Sequence, residues 1–172
     1  MKLGIIGAGN MGSSILKGVT SSNFLENKNI AIFDLNKEKI EELSKEYGVK
    51  KAENENELAK ESDILILSVK PNIIPKVLDK IKDDLSEKTI VLSIAAGISI
   101  DFIENIIGTD KKVIRTMPNT PAQVMEGMTA VSFNQNIQEN EKSMIFKLLN
   151  SFGKSIEIEE KLMHAYTGIS GS

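Results

Sequence analysis

Short apolar runs alternate along the chain with longer segments whose apolar residues recur every three or four positions. The apolar runs predict strands, in chain order KLGII, IAIF, a brief VKKA, ILILS, TIVLSI and KVIRT. The helix-period segments between them are 10–22, 37–47, 55–61, 73–82 and 99–107. Continuous apolar strands separated by helices are typical of a parallel sheet covered on both faces. The pattern therefore predicts the α/β class, with a doubly wound, Rossmann-type and mostly parallel sheet.

The pattern changes after the sixth strand, in the loop RTMPNTPAQVMEGMTA of residues 115–130. Its two prolines prevent a helix at its centre, because proline lacks the N–H group that a helix interior needs. The runs MTAVSF and KSIEI follow, separated by a predicted amphipathic helix over 138–151. We expect these two runs to be edge strands added to the same sheet.

Local signals agree with the predicted helix over 37–47. Asn36 can cap its first turn, and Gly48 stands where a helix stop is expected. This prediction does not depend on the rest of the fold.

Composition excludes several classes of protein. The chain has 172 residues, enough for one ordinary domain, and a net charge of −3, which does not suggest a nucleic-acid surface. It contains no cysteine, so disulfides, thiolate metal sites and a cysteine nucleophile are excluded. No apolar stretch is long enough to cross a membrane, and the start does not read as a signal peptide. We expect a cytoplasmic protein whose partner is a small molecule, without nucleic acid or membrane.

The first strand leads directly into a glycine-rich loop, GAGNMG, at the start of a helix. Gly7, Gly9 and Gly12 have the spacing of the dinucleotide-binding fingerprint, in which glycines allow a tight turn, close approach of a pyrophosphate and close helix packing. The helix N-terminus would then face the anion. A chance cluster among 12 glycines is the alternative, but the strand–loop–helix context favours a cofactor site. That predicted site comprises Ile6, Gly7, Ala8, Gly9, Asn10, Met11 and Gly12.

Asp34 ends the second strand, where an acid commonly accepts the hydroxyls of the adenosine ribose. A carboxylate there favours NADH, because it would repel the 2′-phosphate of NADPH. Lys37 and Lys39 follow closely and could supply a countercharge. Alternatively, Asp34 and Asn36 merely cap the next helix.

Other strand ends should reach the same edge of the sheet, where ligands bind in open α/β folds. The segment SVKP follows the fourth strand, and AAG follows the fifth. Small residues in AAG leave room for a flat ring near the backbone, although ordinary turn chemistry would also explain each segment. The candidate cofactor residues in these segments are Val69, Lys70, Pro71, Ala95, Ala96 and Gly97.

These blocks, together with VIRTMPNTPAQVMEGMTA and the final TGISGS, resemble the pyrroline-5-carboxylate reductase family, in order and along the whole chain. The resemblance implies NAD(P)H-dependent reduction of 1-pyrroline-5-carboxylate to L-proline, the last step of proline biosynthesis. It implies that the proline-containing loop lies beside the nicotinamide and the substrate. The substrate-side residues are then Met117, Pro118, Asn119, Thr120 and Pro121, with Asn56 a further candidate on the adenosine side.

The family also has a helical dimerisation domain after the motif that begins at TGISGS, and this chain lacks it. We therefore expect a dinucleotide-binding domain at 1–160 and, at 161–172, the start of a connection to the missing domain. The full-length protein should be a homo-oligomer, and the chain alone should bind cofactor but be nearly inactive.

The remaining chemistry-bearing residues give weaker signals. His164 is the only histidine and is expected to be a surface or packing residue. Arg115 would suit a substrate carboxylate, and a structural anchor is an equal alternative. No catalytic residue and no metal site is assigned. The competing functions are a β-hydroxyacid dehydrogenase-like oxidoreductase and an NAD(P)-sensing module without catalysis.

Overall fold

The computed structural model describes residues 1–119 and 126–170 of the chain. The strands are β1 Leu3–Ile6, β2 Ile30–Phe33, β3 Lys50–Lys51, β4 Ile64–Leu67, β5 Ile90–Ser93, β6 Lys112–Pro118, β7 Gly127–Phe133 and β8 Gly153–Glu157. The helices are α1 Asn10–Ser21, α2 Lys37–Tyr47, α3 Glu55–Glu61, α4 Ile74–Ile81, α5 Ile100–Ile107, α6 Glu139–Leu149 and α7 Met163–Ser170.

The strands form one sheet in the order β3-β2-β1-β4-β5-β6-β7-β8. The pairs from β3 to β6 are parallel, β7 is antiparallel to β6, and β8 is parallel to β7. The first six strands thus have the order of the dinucleotide-binding fold, with the switch point beside β1 and β4. The predicted fold class is confirmed. Of the two runs expected to be edge strands, β8 lies at an edge, opposite β3, but the expectation is wrong for β7, which lies between β6 and β8.

Two apolar layers cover the sheet. One contains buried side chains of α1, α2 and α6, such as Ile15, Leu43 and Leu148. The other contains those of α3, α4 and α5, such as Leu58 and Val77. Strands with apolar residues on both faces are buried on both sides, which explains why their sequences are continuously apolar.

Helix boundaries follow local capping chemistry. The Asn36 side chain accepts from the N–H of Lys39 at the start of α2, and Gly48 ends that helix with φ 66°. The helix predicted at 73–82 is shorter: α4 spans Ile74–Ile81, with 3₁₀ turns at Pro71–Ile73 and Lys82–Asp84. Pro75 sits in its first turn, where a missing N–H costs nothing.

After β8 the chain crosses back over the face that carries α5. Met163, at the start of α7, is fully buried against Met117 and Ala130. The hydroxyl of Tyr166 donates to the Met128 carbonyl at 2.6 Å. These contacts place α7 beside the strands that lead into and out of the proline-containing loop.

Candidate functional site

Two glycines of the GAGNMG loop are required by the fold itself. Gly7 has φ 103°, and a Cβ there would lie 2.4 Å from the Ser68 carbonyl oxygen. A Cβ on Gly12 would lie 2.1 Å from the Gly7 carbonyl oxygen. Side chains at either position would therefore clash with backbone, which is why the loop can pass tightly between β1, α1 and the end of β4.

Gly9 is different, because the fold does not require it to be glycine. Its φ is −70°, and a Cβ built on it would have no atom within 4 Å among the residues that the structure describes. The space in front of this residue is open. A missing side chain with no internal reason indicates close approach of something from outside the chain.

The N-terminus of α1 opens onto the same space. No side chain caps this helix, and its first turn contains no acidic residue. The first N–H groups of a helix have no intrahelical partner and carry the positive end of the helix dipole. An anion such as a pyrophosphate would satisfy them.

Asp34 holds the loop in this position. Its Oδ2 accepts from the N–H of Ala8 at 2.7 Å, and its Oδ1 accepts from the N–H of Asn36 at 2.8 Å. Neither of the two predicted roles included the contact with Ala8. The helix cap itself is Asn36, so Asp34 links β2 to the glycine loop.

Two adjacent cavities lie along this edge of the sheet. The smaller has a volume of about 280 Å³ and includes Gly7, Gly9, Ser68, Val69 and Lys70 in its lining. The larger has a volume of about 610 Å³ and lies between β2, α2 and α3. Both are lined by Phe33, Asp34, Leu35 and Glu55. Together they form a groove that starts at the glycine loop and passes the end of β2.

Ser68 lines the smaller cavity, but its hydroxyl is enclosed beside Gly12. Its Oγ is buried and has no hydrogen-bond partner in the described part of the chain. Buried hydroxyl groups are nearly always paired, so this one is an exception, and its enclosed position keeps it from the groove. The open space at Gly9 and the uncapped α1 fit a dinucleotide.

The segment at Ala95, Ala96 and Gly97 follows β5 at the same sheet edge, but these residues do not line the two cavities. Ala95 is buried, whereas Ala96 and Gly97 are exposed. Gly97 has φ 76° and open space around its Cα. The segment thus lies at the predicted edge of the sheet, the carboxyl edge of the parallel strands, and β5, which precedes it, is two strands from β1.

Asn56 does not face the groove. Its Nδ2 donates to the Lys80 carbonyl at 2.8 Å and to the Asp84 carboxylate at 2.5 Å, so the side chain ties α3 to the end of α4. The preceding residue, Glu55, lines the groove instead. The cause is helix geometry, since successive residues of a helix point about 100° apart. Sequence reasoning had no means of choosing between them.

The proline-containing loop begins at the end of β6. Met117 and Pro118 are buried, and the Asn119 Oδ1 accepts from the N–H of Met128 at 3.0 Å. This bond links the residue that follows β6 to the start of β7. Thr120 and Pro121 lie outside the described residues.

Arg115 takes the anchoring role rather than facing the groove. It is 4% exposed, and its guanidinium donates to Glu160 at 3.2 Å. The same carboxylate oxygen accepts from the N–H of Ile100 at 2.7 Å. Arg115 therefore holds the segment between β8 and α7 against the start of α5. His164 is exposed on α7.

Within residues 1–119 and 126–170, no group of three or more acidic or histidine side chains could hold a metal ion. Over the same residues, no helix is long and apolar enough to cross a membrane.

Comparison with known proteins identifies the family. The model of the family described as "NADP oxidoreductase coenzyme F420-dependent" matches residues 2–97, more than half of the chain. The chain is 41% identical to the pyrroline-5-carboxylate reductase of Aquifex aeolicus over 172 residues, all of this chain and 63% of that protein. It is 37% identical to that of Escherichia coli over 99% of this chain and 64% of that protein.

Among solved structures, the pyrroline carboxylate reductase of Plasmodium falciparum with NADP bound superimposes with a TM-score of 0.89 at 33% identity. The match covers 99% of this chain and 62% of that one. The chain thus spans slightly less than two thirds of the length of these relatives. It belongs to the family described as NADP oxidoreductase, coenzyme F420-dependent, and along its whole length it is similar to pyrroline-5-carboxylate reductases.

Proposed function

We propose that the protein to which this chain belongs reduces 1-pyrroline-5-carboxylate to L-proline with NAD(P)H. The observation that carries the proposal is similarity over the whole chain, which includes β6, β7 and the loop between them. Other dehydrogenases share the fold over these segments, but at 16–17% identity, so the 37–41% identity to pyrroline-5-carboxylate reductases carries the proposal. The bound cofactor supplies a hydride to the carbon of the C=N bond, and the nitrogen retains or gains a proton.

In this proposal the glycine loop binds the pyrophosphate. Backbone N–H groups of Asn10 and Met11 at the uncapped start of α1 face the anion, and Gly9 leaves space for it. Ile6, Gly7, Ala8 and Gly12 set the shape of the loop. The further cofactor contacts that we propose are Val69, Lys70, Pro71, Ala95, Ala96 and Gly97.

The substrate side of the site is proposed at the end of β6. Pro118 fixes its own backbone, and Asn119 is held by the N–H of Met128. Such a stiff segment can keep its remaining polar groups aimed at a substrate without reorganising during reaction. With Met117, Thr120 and Pro121 it would position the imine next to the nicotinamide. Proximity of this kind contributes about 7–11 kcal/mol to rate acceleration in well-oriented systems.

We further propose that NADH is preferred to NADPH. The Asp34 carboxylate lines both cavities and is held there by two backbone N–H groups, so it would face the ribose with a fixed negative charge. NADPH is the alternative, and Lys37 in the larger cavity is the residue that could favour it. The Plasmodium falciparum relative has NADP bound.

We propose that residues 1–160 form the cofactor domain, that 161–172 begin the connection to a further domain, and that the full-length protein is a homo-oligomer. The active site would then be completed outside this chain. The expected behaviour of the 172-residue chain is binding of NAD(P)H with almost no reduction of 1-pyrroline-5-carboxylate.

Two measurements test the proposed function. Fluorescence titration of the chain with NADH and NADPH should show saturable binding. Steady-state assays with 1-pyrroline-5-carboxylate should show turnover for a protein extended to the full length of the relatives and almost none for this chain. Binding without turnover by the extended protein would instead indicate a sensing module, and comparable turnover by both would show that the substrate site is misplaced.

A further inference from the structure

Glu55 is the one buried carboxylate in the part of the chain that the structure describes. It is 8% exposed and is the first residue of α3. Burying a carboxylate is costly unless it is paired, and an apolar residue would serve packing equally well. Glu55 also lines both cavities of the groove. Because burial of the Glu55 carboxylate costs free energy, its position at the groove indicates a role in binding there.

One oxygen of this carboxylate is paired and the other is not. Its Oε2 accepts from the Lys80 ammonium of α4 at 2.6 Å. Its Oε1 has no hydrogen-bond partner among residues 1–119 and 126–170, and it is not among the fully enclosed unpaired atoms. The Lys80 side chain is 49% exposed. The pair therefore holds the carboxylate in place and leaves one oxygen able to accept a hydrogen bond from a ligand.

The charges around this part of the groove are unequal. Asp34 and Glu55 line both cavities. Of the lysines in the larger cavity, Lys51 is bound to Glu41 and Lys80 to Glu55. Only Lys37 has no ion pair within the described residues. The larger cavity, beside the end of β2, is thus lined by four acids, Asp34, Glu41, Glu53 and Glu55. Two of its three lysines are paired with two of these acids, and Lys70 lines the smaller cavity.

We propose that Glu55 is a second determinant of cofactor choice, acting with Asp34 to favour NADH. Its free oxygen accepts a hydrogen bond from the adenosine half of the cofactor, and its charge opposes a 2′-phosphate. Lys80 keeps the carboxylate oriented and moderates its charge. This inference rests on the proposed dinucleotide site and adds to it a residue that the sequence pattern did not identify.

The test is fluorescence titration of the 172-residue chain and its variants with NADH and with NADPH. Glu55→Gln should raise the ratio of NADPH affinity to NADH affinity by about tenfold, the scale expected when one charge near a phosphate is removed. Lys80→Gln should shift this ratio in the opposite direction, because the Glu55 charge is then unmoderated. Glu61→Gln is the matched control, since it removes the same charge at the exposed end of α3 and should leave the ratio unchanged.

Thermal unfolding of each variant separates a binding role from a structural one. A lower melting temperature for Glu55→Gln with an unchanged affinity ratio would overturn the proposal and leave Glu55 as a structural partner of Lys80. A preference of the unmodified chain for NADPH would also overturn it. If the unmodified chain binds neither nucleotide, the proposed function itself fails, an outcome distinct from an unchanged ratio.

Discussion

The helices α1 and α5 both begin at the carboxyl edge of the parallel strands, yet their N-termini differ. α1 follows Gly9 and has no side-chain cap and no acid in its first turn. α5 is capped by Ser99, which accepts from the N–H of Phe102 at 3.1 Å. Its first N–H, that of Ile100, is bound by the Glu160 carboxylate. One helix start is left open and the other is filled by the protein's own anion.

The difference explains why only one of these two helix N-termini is available to an anionic ligand. A helix N-terminus attracts anions wherever it occurs, so every start at this edge could in principle compete for a phosphate. At α5 the position is taken by a residue 60 positions later in the chain. At α1 no side-chain cap fills it, so it stays open to solvent and to a ligand.

The largest effect is expected for Gly9→Val. The side chain would occupy the open space before α1, so affinity for NADH should fall by about 100-fold or more, comparable to losing the pyrophosphate contacts. The melting temperature should hardly change, because the added Cβ meets no atom of the described chain. Titration and thermal unfolding measure the two quantities.

The control for this variant is Gly12→Val. Its Cβ would lie 2.1 Å from the Gly7 carbonyl oxygen, so this change should lower stability as well as affinity. Equal NADH affinity of Gly9→Val and the unmodified chain would remove the glycine loop from the proposed site.

At α5 we expect the reverse pattern. Glu160→Ala leaves the guanidinium of Arg115, 4% exposed, without its ionic partner and uncaps Ile100. The free energy of unfolding should fall by about 2 kcal/mol, below the usual value for a fully buried pair because Glu160 is partly exposed. NADH affinity should be unchanged. Urea unfolding and NADH titration provide the measurements.

Glu159→Ala serves as the comparison for this substitution. Glu159 is exposed and forms an ion pair with exposed Lys161, so its loss should cost about 0–0.5 kcal/mol. If Glu160→Ala weakened NADH binding as strongly as Gly9→Val does, the proposed division of roles between the two helix starts would be wrong.

Asp34→Ser should have a smaller effect, on both cofactor preference and stability. It removes the fixed charge beside the ribose, so the ratio of NADPH affinity to NADH affinity should rise. It also removes the acceptor for the Ala8 N–H, which should cost about 1 kcal/mol of stability. Asp34→Asn retains an acceptor and should show the shift in ratio with a smaller loss of stability. An unchanged ratio in both variants would leave Asp34 as a structural link only.

The smallest expected effect is the dependence of stability on alkaline pH through Tyr166. Burial raises the pKa of Tyr166 above its ordinary value of 10.0. Because the folded-state pKa is the higher one, the contribution of this group to stability is complete below the unfolded value and is lost as pH rises through the folded value. Tyrosinate absorbance during alkaline titration, in a Tyr47→Phe background, should place the Tyr166 transition above 10.0. A transition at the ordinary value would contradict its packing near Met128.

Local signals were enough to predict much of the fold. The bounds of α2 agree with prediction because Asn36 and Gly48 act on adjacent residues. The doubly wound, mostly parallel class followed from apolar runs, which indicate burial on both faces. The place of β7 between β6 and β8 did not follow from them. The glycine loop followed from spacing and context alone.

Contacts between distant residues could not be predicted in this way. The bond from Ala8 to Asp34 and the pair of Arg115 with Glu160 join residues that are 26 and 45 positions apart. The choice of Glu55 over Asn56 at the groove depended on the rotation of α3. Each of these depends on how elements pack, which residue periodicity does not specify.

The packing of α1 against Phe152 has a consequence for how the chain folds during translation. A Cβ on Gly18 would lie 2.6 Å from the Cβ of Phe152, so α1 packs directly on the residue before β8. Phe152 belongs to the same apolar cluster as Ile15 and Val19. During translation the glycine loop is made early, but Phe152, which packs on its helix, is made only after β7 and α6. In a nascent chain the surface of α1 around Gly18 would therefore stay uncovered by Phe152 until that residue has left the ribosome.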